Sequence, residues 1–66
     1  MPRYRINFDI GMITETVEAV DDAAALEYAR DQIEEEGYID AEVYLICGER
    51  GAEEYLDTIY HPSMAE

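Results

Sequence analysis

Residues 3–10 read RYRINFDI, and this stretch decides the fold. Apolar and polar side chains alternate along it without a break, which is the period-two pattern of a β-strand with one buried face. The side chains expected on that face are Tyr4, Ile6, Phe8 and Ile10. Gly11 and Met12 then predict a tight turn, and the β-branched residues of 13–20 predict a returning strand. The chain therefore opens with a β-hairpin.

A helix is predicted next, over residues 23–36. Asp21 and Asp22 precede it as N-cap residues, whose carboxylates accept the free amide hydrogens of a first helical turn. Gly37 follows it, in the place where a glycine commonly ends a helix. The helical period gathers the apolar side chains into one stripe, formed by Ala25, Leu26, Ala29 and Ile33. The opposite side is acidic, so we expect the stripe to pack on the sheet and the acids to face solvent.

The last third of the chain begins with a second alternating stretch. Residues 38–47 predict a third strand, and the two glycines of 48–51 predict a turn. Residues 53–60 fit two structures, a strand or a helix. As a strand they point inward with Leu56, Thr58 and Tyr60, and as a helix they form a stripe of Ala52, Tyr55, Leu56 and Ile59. The strand is favoured slightly, because it extends a sheet that otherwise has few partners.

These elements together predict an α+β fold class. We expect a small antiparallel sheet with one helix packed on one face, in the order ββαββ, or ββαβ with a C-terminal helix. The chain forms a single acidic domain over residues 1–66, because 66 residues suffice for one small core and no more. Residues 62–66, which begin with Pro62, are expected to be a frayed tail.

The charge of the chain excludes several functions. Asp and Glu number 17 and the basic residues four, all of them arginine, so the formal net charge is −13 and the isoelectric point is near 4.1. Yet 48% of the residues are hydrophobic, which is too many for a disordered acidic tail. Nucleic acid and anionic membrane surfaces would both repel such a domain. We therefore expect it to contact neither directly.

Catalytic and metal-binding patterns are not found in the sequence. The one histidine, His61, stands beside a proline near the chain end, where a surface or capping role is expected. Cys47 is the only cysteine, which excludes an internal disulfide and favours a small core side chain. No phosphate-binding glycine loop or calcium loop is present. We expect no enzyme activity, no metal and no cofactor. Since no signal peptide or long apolar run is seen, we expect a cytoplasmic protein.

The acidic residues of the helix work against helix stability. Glu27, Asp31 and Glu35 follow one another at i,i+4 spacing, and each like-charge pair costs roughly 0.2–0.5 kcal/mol. Residues 34–36 add three glutamates at the C-terminal end, where the helix dipole disfavours negative charge. When a domain of marginal stability carries charges that destabilise its own helix, a functional requirement for those charges is indicated. We therefore predict a protein-binding surface made by Glu27, Asp31, Glu34, Glu35, Asp40, Glu42, Tyr44, Glu53 and Asp57.

In its small size, acidity and interleaved tyrosines, the chain resembles the small phage-encoded inhibitors that mimic DNA, among them many anti-CRISPR proteins. The resemblance is one of type and is carried by the acidic helix of residues 21–36 and the acid-bearing strand of residues 38–46. It implies a basic nucleic-acid-binding protein as partner, such as a subunit of a CRISPR surveillance complex. It also implies inhibition by occlusion, in which carboxylates replace phosphates in the partner's groove, inside the host cytoplasm.

Two other functions fit the same composition. Acid-rich proteins without lysine are typical of high-salt habitats, in which case the domain has an ordinary role and its charge reflects the habitat. An antitoxin-like or regulatory partner of a basic protein is a third possibility. A domain adapted to high salt unfolds at low salt, whereas a DNA mimic must be folded near physiological ionic strength.

Overall fold

The opening hairpin supplies one edge strand and one central strand of the sheet. The computed structural model describes residues 1–48 and 50–64, and in it β1 (Arg3–Phe8) pairs antiparallel with β2 (Ile13–Glu18). Tyr4, Ile6 and Phe8 are at most 1% exposed, because their shared face lies against the core. The predicted hairpin is confirmed. The predicted burial of one face of its first strand is confirmed for Tyr4, Ile6 and Phe8.

The prediction for Ile10 was wrong. Its side chain is 72% exposed, because β1 ends at Phe8 and the turn takes up all of residues 9–12. Asp9 and Ile10 both have positive φ, 58° and 51°, so the backbone leaves the extended region before Ile10 can join the alternation. The amide of Gly11 donates to the carbonyl of Phe8 at 3.1 Å and closes the turn.

The helix α1 runs over Asp22–Glu36, as the sequence predicts to within one residue. The Asp21 carboxylate accepts the Ala24 amide at 2.8 Å and caps its first turn. Gly37 ends it in a left-handed conformation, with φ of 77°, and its amide donates to the Ile33 carbonyl at 2.9 Å. Both ends of the helix are therefore stabilised by local hydrogen bonds.

Two further strands complete a four-stranded antiparallel sheet. Strand β3 (Asp40–Cys47) pairs with β1, and β4 (Ala52–Tyr60) pairs with β3, which gives the strand order β2-β1-β3-β4. The fold is α+β in the order ββαββ, so the alternative of a helix over 53–60 is wrong. A short 3₁₀ helix follows at Pro62–Met64, within the segment predicted as a frayed tail, and residues 65–66 of that segment lie outside the described residues.

A β-bulge in β4 changes which of its side chains face the core. Val43 pairs with Asp57 and Tyr44 pairs with Tyr55, so Leu56 is an extra residue in the ladder. The inward side chains of β4 are therefore Leu56 and Ile59, which pack against the core. The predictions that Thr58 and Tyr60 point inward were wrong: Thr58 pairs with the outward residue Glu42, and Tyr60 is 55% exposed.

The core lies between the sheet and α1, which packs mainly on β3 and β4. Three side chains of the predicted helix stripe are fully buried, namely Ala25, Ala29 and Ile33, while Leu26 is half-buried at the margin. The other face of the sheet has no second layer among the described residues. The molecule thus presents two separate surfaces, the outer side of the helix and the uncovered side of the sheet.

Candidate functional site

The outer side of α1 carries the first group of predicted site residues. Glu27, Asp31, Glu34 and Glu35 are all exposed, as expected from the phase of the helix. We call these four residues the acidic helix face. They are positioned by the buried residues Ala25, Ala29 and Ile33 on the opposite side of the same helix, which fix its rotation about its axis.

No cation neutralises the acidic helix face within the part of the chain that the structure describes. The only ion pair found there joins Arg5 to Glu53, on the sheet. Arg30 is exposed on the same helix but forms no ion pair at 4.0 Å or less with the described acids. The last turn of α1 has no basic residue, although the helix dipole favours one there. The four carboxylates of this face therefore point into solvent without a cationic partner among the described residues.

The second group lies on the uncovered side of the sheet, which we call the open sheet face. It consists of the outward side chains of the central strands and of β4, which are Arg3, Arg5, Asn7, Asp40, Glu42, Tyr44, Ile46, Glu53, Tyr55, Thr58 and Tyr60. Four predicted site residues, Asp40, Glu42, Tyr44 and Glu53, belong to it. The helix and the sheet's inner face separate these residues from the acidic helix face, so the structure does not bring the predicted site together into one surface.

Arg5 lies at the centre of the open sheet face. Its guanidinium donates to both carboxylate oxygens of Glu53, at 2.5 and 2.6 Å, and to Asn7 Oδ1 at 2.6 Å. It also lies 4.6 Å from the ring centroid of Tyr44, whose ring packs edge-on against Tyr55. The hydrogen bonds to Arg5 lower the pKa of Glu53, and those to Glu53 raise the pKa of Arg5. Arg5 was not among the predicted site residues, although its outward position follows from the alternation of β1.

Two of the predicted residues, Asp40 and Asp57, have structural roles. Asp40 accepts the Ile10 amide through Oδ1 at 2.8 Å, so its carboxylate braces the β1–β2 turn. Asp57 lies at the bulge of β4, and its Oδ1 accepts the amide of Thr58 at 2.8 Å. Neither carboxylate belongs to the acidic helix face.

The tyrosines divide between core and surface. Tyr38 packs on Phe8 with ring centroids 4.9 Å apart, and its burial raises its pKa. Tyr55 and Tyr60 are 54% and 55% exposed. Because Tyr is favoured at binding hot spots, Tyr55 and Tyr60 are better candidates for interface anchors than Tyr38, which packs on Phe8.

A small cavity of about 140 Å³ lies beside the end of the helix and is lined by Gly37, Tyr38, Ile39, His61 and Ser63. The Nδ1 atom of His61 accepts the Ser63 amide at 3.1 Å and lies 2.8 Å from the Ser63 hydroxyl. The histidine therefore caps the short 3₁₀ helix, in line with the role expected for it. Within the residues the structure describes, no three His, Cys, Asp or Glu side chains group closely enough to hold a metal ion.

In the described ranges, no helix has the length and apolarity to cross a bilayer. Comparison of the chain with protein-family models, with curated proteins and with solved structures finds no significant match.

Proposed function

We propose that this protein is an acidic inhibitor that occludes the basic nucleic-acid-binding groove of a protein partner by means of the acidic helix face. The carboxylates of this face stand in for phosphates, so that the groove pairs with protein in place of DNA. By its resemblance to phage-encoded DNA mimics, an anti-CRISPR role against a surveillance complex subunit is the specific form we favour.

The observation that carries this proposal is the charge density of the acidic helix face. Its four carboxylates fall between Glu27 and Glu35, eight residues apart, which is a rise of about 12 Å along the helix. This spacing is roughly one negative charge per 3–4 Å, close to the 3.4 Å per charge along one strand of duplex DNA. All four side chains are exposed and free of ion pairs with the described residues. A groove that binds one strand of a duplex would meet a similar row of charges here.

The row of charges is also held rigidly. Asp21 caps one end of α1, Gly37 ends the other, and the buried side of the helix is anchored in the core. A charged segment that is already ordered loses less conformational entropy on binding than a disordered acidic tail does. The ordered helix therefore favours an inhibitor that binds its partner in a defined complex, in contrast to a flexible polyanion.

The test compares two variants with equal net charge. Glu27→Gln/Asp31→Asn removes two charges from the acidic helix face, and Glu18→Gln/Glu54→Gln removes two exposed charges elsewhere. The wild-type protein and both variants are immobilised and used to capture proteins from lysates of candidate hosts, and the affinity for each captured protein is measured. We expect the helix variant to bind the target at least about tenfold more weakly, and the control to bind like wild type.

Three further results decide the outcome. Binding by the wild type should weaken steeply as salt rises and should compete with the target's own nucleic acid. The helix variant should be at least as stable as wild type, because it loses a like-charge i,i+4 pair. Equal binding by both variants, or a target that binds no nucleic acid, would refute the proposal. A free protein that folds only in molar salt would instead support adaptation to a high-salt habitat.

A further inference from the structure

The open sheet face already binds one guanidinium group, and the geometry shows how. Arg5 forms two hydrogen bonds to one carboxylate, that of Glu53, and lies over the ring of Tyr44. Planar stacking combined with a two-pronged ion pair is specific to arginine, since the lysine ammonium is a compact point charge without a flat face. The open sheet face therefore already recognises one arginine, the Arg5 of its own chain.

The adjoining part of the same face repeats these elements without a bound cation. Tyr55 and Tyr60 expose more than half of their surface, and Thr58 lies between them along β4. Glu42 pairs with Thr58 across the strands. The Arg5 guanidinium attracts its carboxylate at longer range, but Glu42 takes part in no ion pair at 4.0 Å or less within the described residues. Two exposed aromatic rings therefore lie on either side of Thr58 along β4, and the Glu42 side chain lies opposite Thr58 on β3.

We propose that this part of the open sheet face docks an exposed, arginine-bearing segment of a protein partner, with the guanidinium stacked on Tyr55 or Tyr60 and paired with Glu42. Charge complementarity selects this occupant. Nucleic acid also stacks on tyrosines, but its phosphates are repelled by a net charge of −13, and the same repulsion opposes a second copy of the chain. The surface lies across the sheet from the acidic helix face and acts whether or not that face mimics DNA.

The test uses two pentapeptides of equal charge, acetylated and amidated, with the sequences Gly-Arg-Gly-Arg-Gly and Gly-Lys-Gly-Lys-Gly. Each is titrated into the isotopically labelled protein at about 0.15 M salt, and amide chemical shifts are followed by NMR. We expect the arginine peptide to shift the amides of Glu42, Tyr55, Thr58 and Tyr60. We also expect it to bind about two- to fivefold more tightly than the lysine peptide, which is the size of a cation–π contribution at exposed rings.

Two variants identify the source of this preference. Tyr55→Leu/Tyr60→Leu keeps apolar surface but removes the rings, so it should abolish the preference for arginine. Glu42→Gln keeps the rings and should weaken both peptides. The helix variant Glu27→Gln/Asp31→Asn should retain the preference, which separates this surface from the proposed DNA mimicry. Equal affinity for the two peptides, shifts confined to the helix, or a preference that survives the double leucine variant would each overturn the proposal.

Discussion

Ile10 occupies a backbone conformation that its own side chain disfavours. A φ of 51° suits glycine or asparagine, whereas a β-branched side chain there is strained. Hydrogen bonds to the neighbouring strand hold the turn: the Asp9 amide donates to the Asp40 carbonyl at 2.9 Å, and the Ile10 amide donates to the Asp40 carboxylate. The side chain is 72% exposed, so little apolar burial offsets the strain.

We therefore expect Ile10→Asn to stabilise the protein. Relief of left-handed strain at a β-branched residue is worth roughly 1–2 kcal/mol, and part of it should appear as a melting temperature several degrees higher. Met12→Asn is the matched control, because Met12 is 78% exposed in the same turn and has no positive φ. Thermal unfolding followed by circular dichroism checks both variants. A melting temperature for Ile10→Asn at or below that of wild type would show that the turn is not strained at this residue.

The helix is held on the sheet by a narrow contact. Ala25 and Ala29 are small enough to bring the backbone close to the strands, and Ile33 is the largest fully buried side chain of α1. Leu26, predicted as an equal member of the stripe, lies at the margin and is only half-buried. The rotation of the helix is therefore set by Ala25, Ala29 and Ile33, and with it the exposure of the acids on the other side.

Truncation of the two large helix side chains should therefore have unequal effects. Ile33→Ala should lower the free energy of unfolding by about 2–5 kcal/mol, because it opens a cavity in a fully buried position. Leu26→Ala should cost only about 1–2 kcal/mol, because part of its surface is already in water. Urea denaturation measures both, with Ile33→Val as a milder substitute if Ile33→Ala does not fold. A larger loss at Leu26 than at Ile33 would mean that the helix is rotated and that the acidic helix face is misplaced.

At the scale of the whole molecule, two tyrosine–carboxylate hydrogen bonds connect the helix to the sheet. Tyr4 on β1 donates to Asp22 Oδ1 at 2.8 Å, and Tyr28 on α1 donates to Glu15 Oε1 at 2.8 Å. Burial, assisted by these bonds, raises the pKa of both phenols to about 12. Ionised phenolates would lose the bonds and meet the carboxylates as like charges.

The stability of the fold should therefore fall at alkaline pH. The folded state favours the neutral phenols, so their contribution is fully present below the unfolded pKa of about 10 and is lost as the pH rises toward 12. Unfolding midpoints measured at about pH 8, 10 and 11 should be level at first and then drop. The double variant Tyr4→Phe/Tyr28→Phe should be less stable at neutral pH but show a weaker alkaline drop, and Tyr60→Phe serves as an exposed control. A drop of the same size in the double variant would place its cause elsewhere.

Much of this protein follows from local patterns in the sequence. The alternation of residues 3–8 determines the strand and its buried face, and the capping residues Asp21 and Gly37 determine the helix to within one residue. The exposure of Glu27, Asp31 and Glu35 follows too, because the rotation of an amphipathic helix is set by its own apolar stripe. Each of these features depends on neighbours within a few residues, which is why the sequence alone suffices for them.

Only the tertiary structure decided the rest. The bulge that turns Leu56 and Ile59 inward exists because β4 pairs with β3 in one particular register, and its three-residue spacing is also what made 53–60 resemble a helix. The separation of the predicted acids into two surfaces arises because one helix covers one side of the sheet. The bond between Arg5 and Glu53 joins residues 48 positions apart. Pairing, layering and contacts at such separations depend on the whole chain packing at once, so no local pattern encodes them.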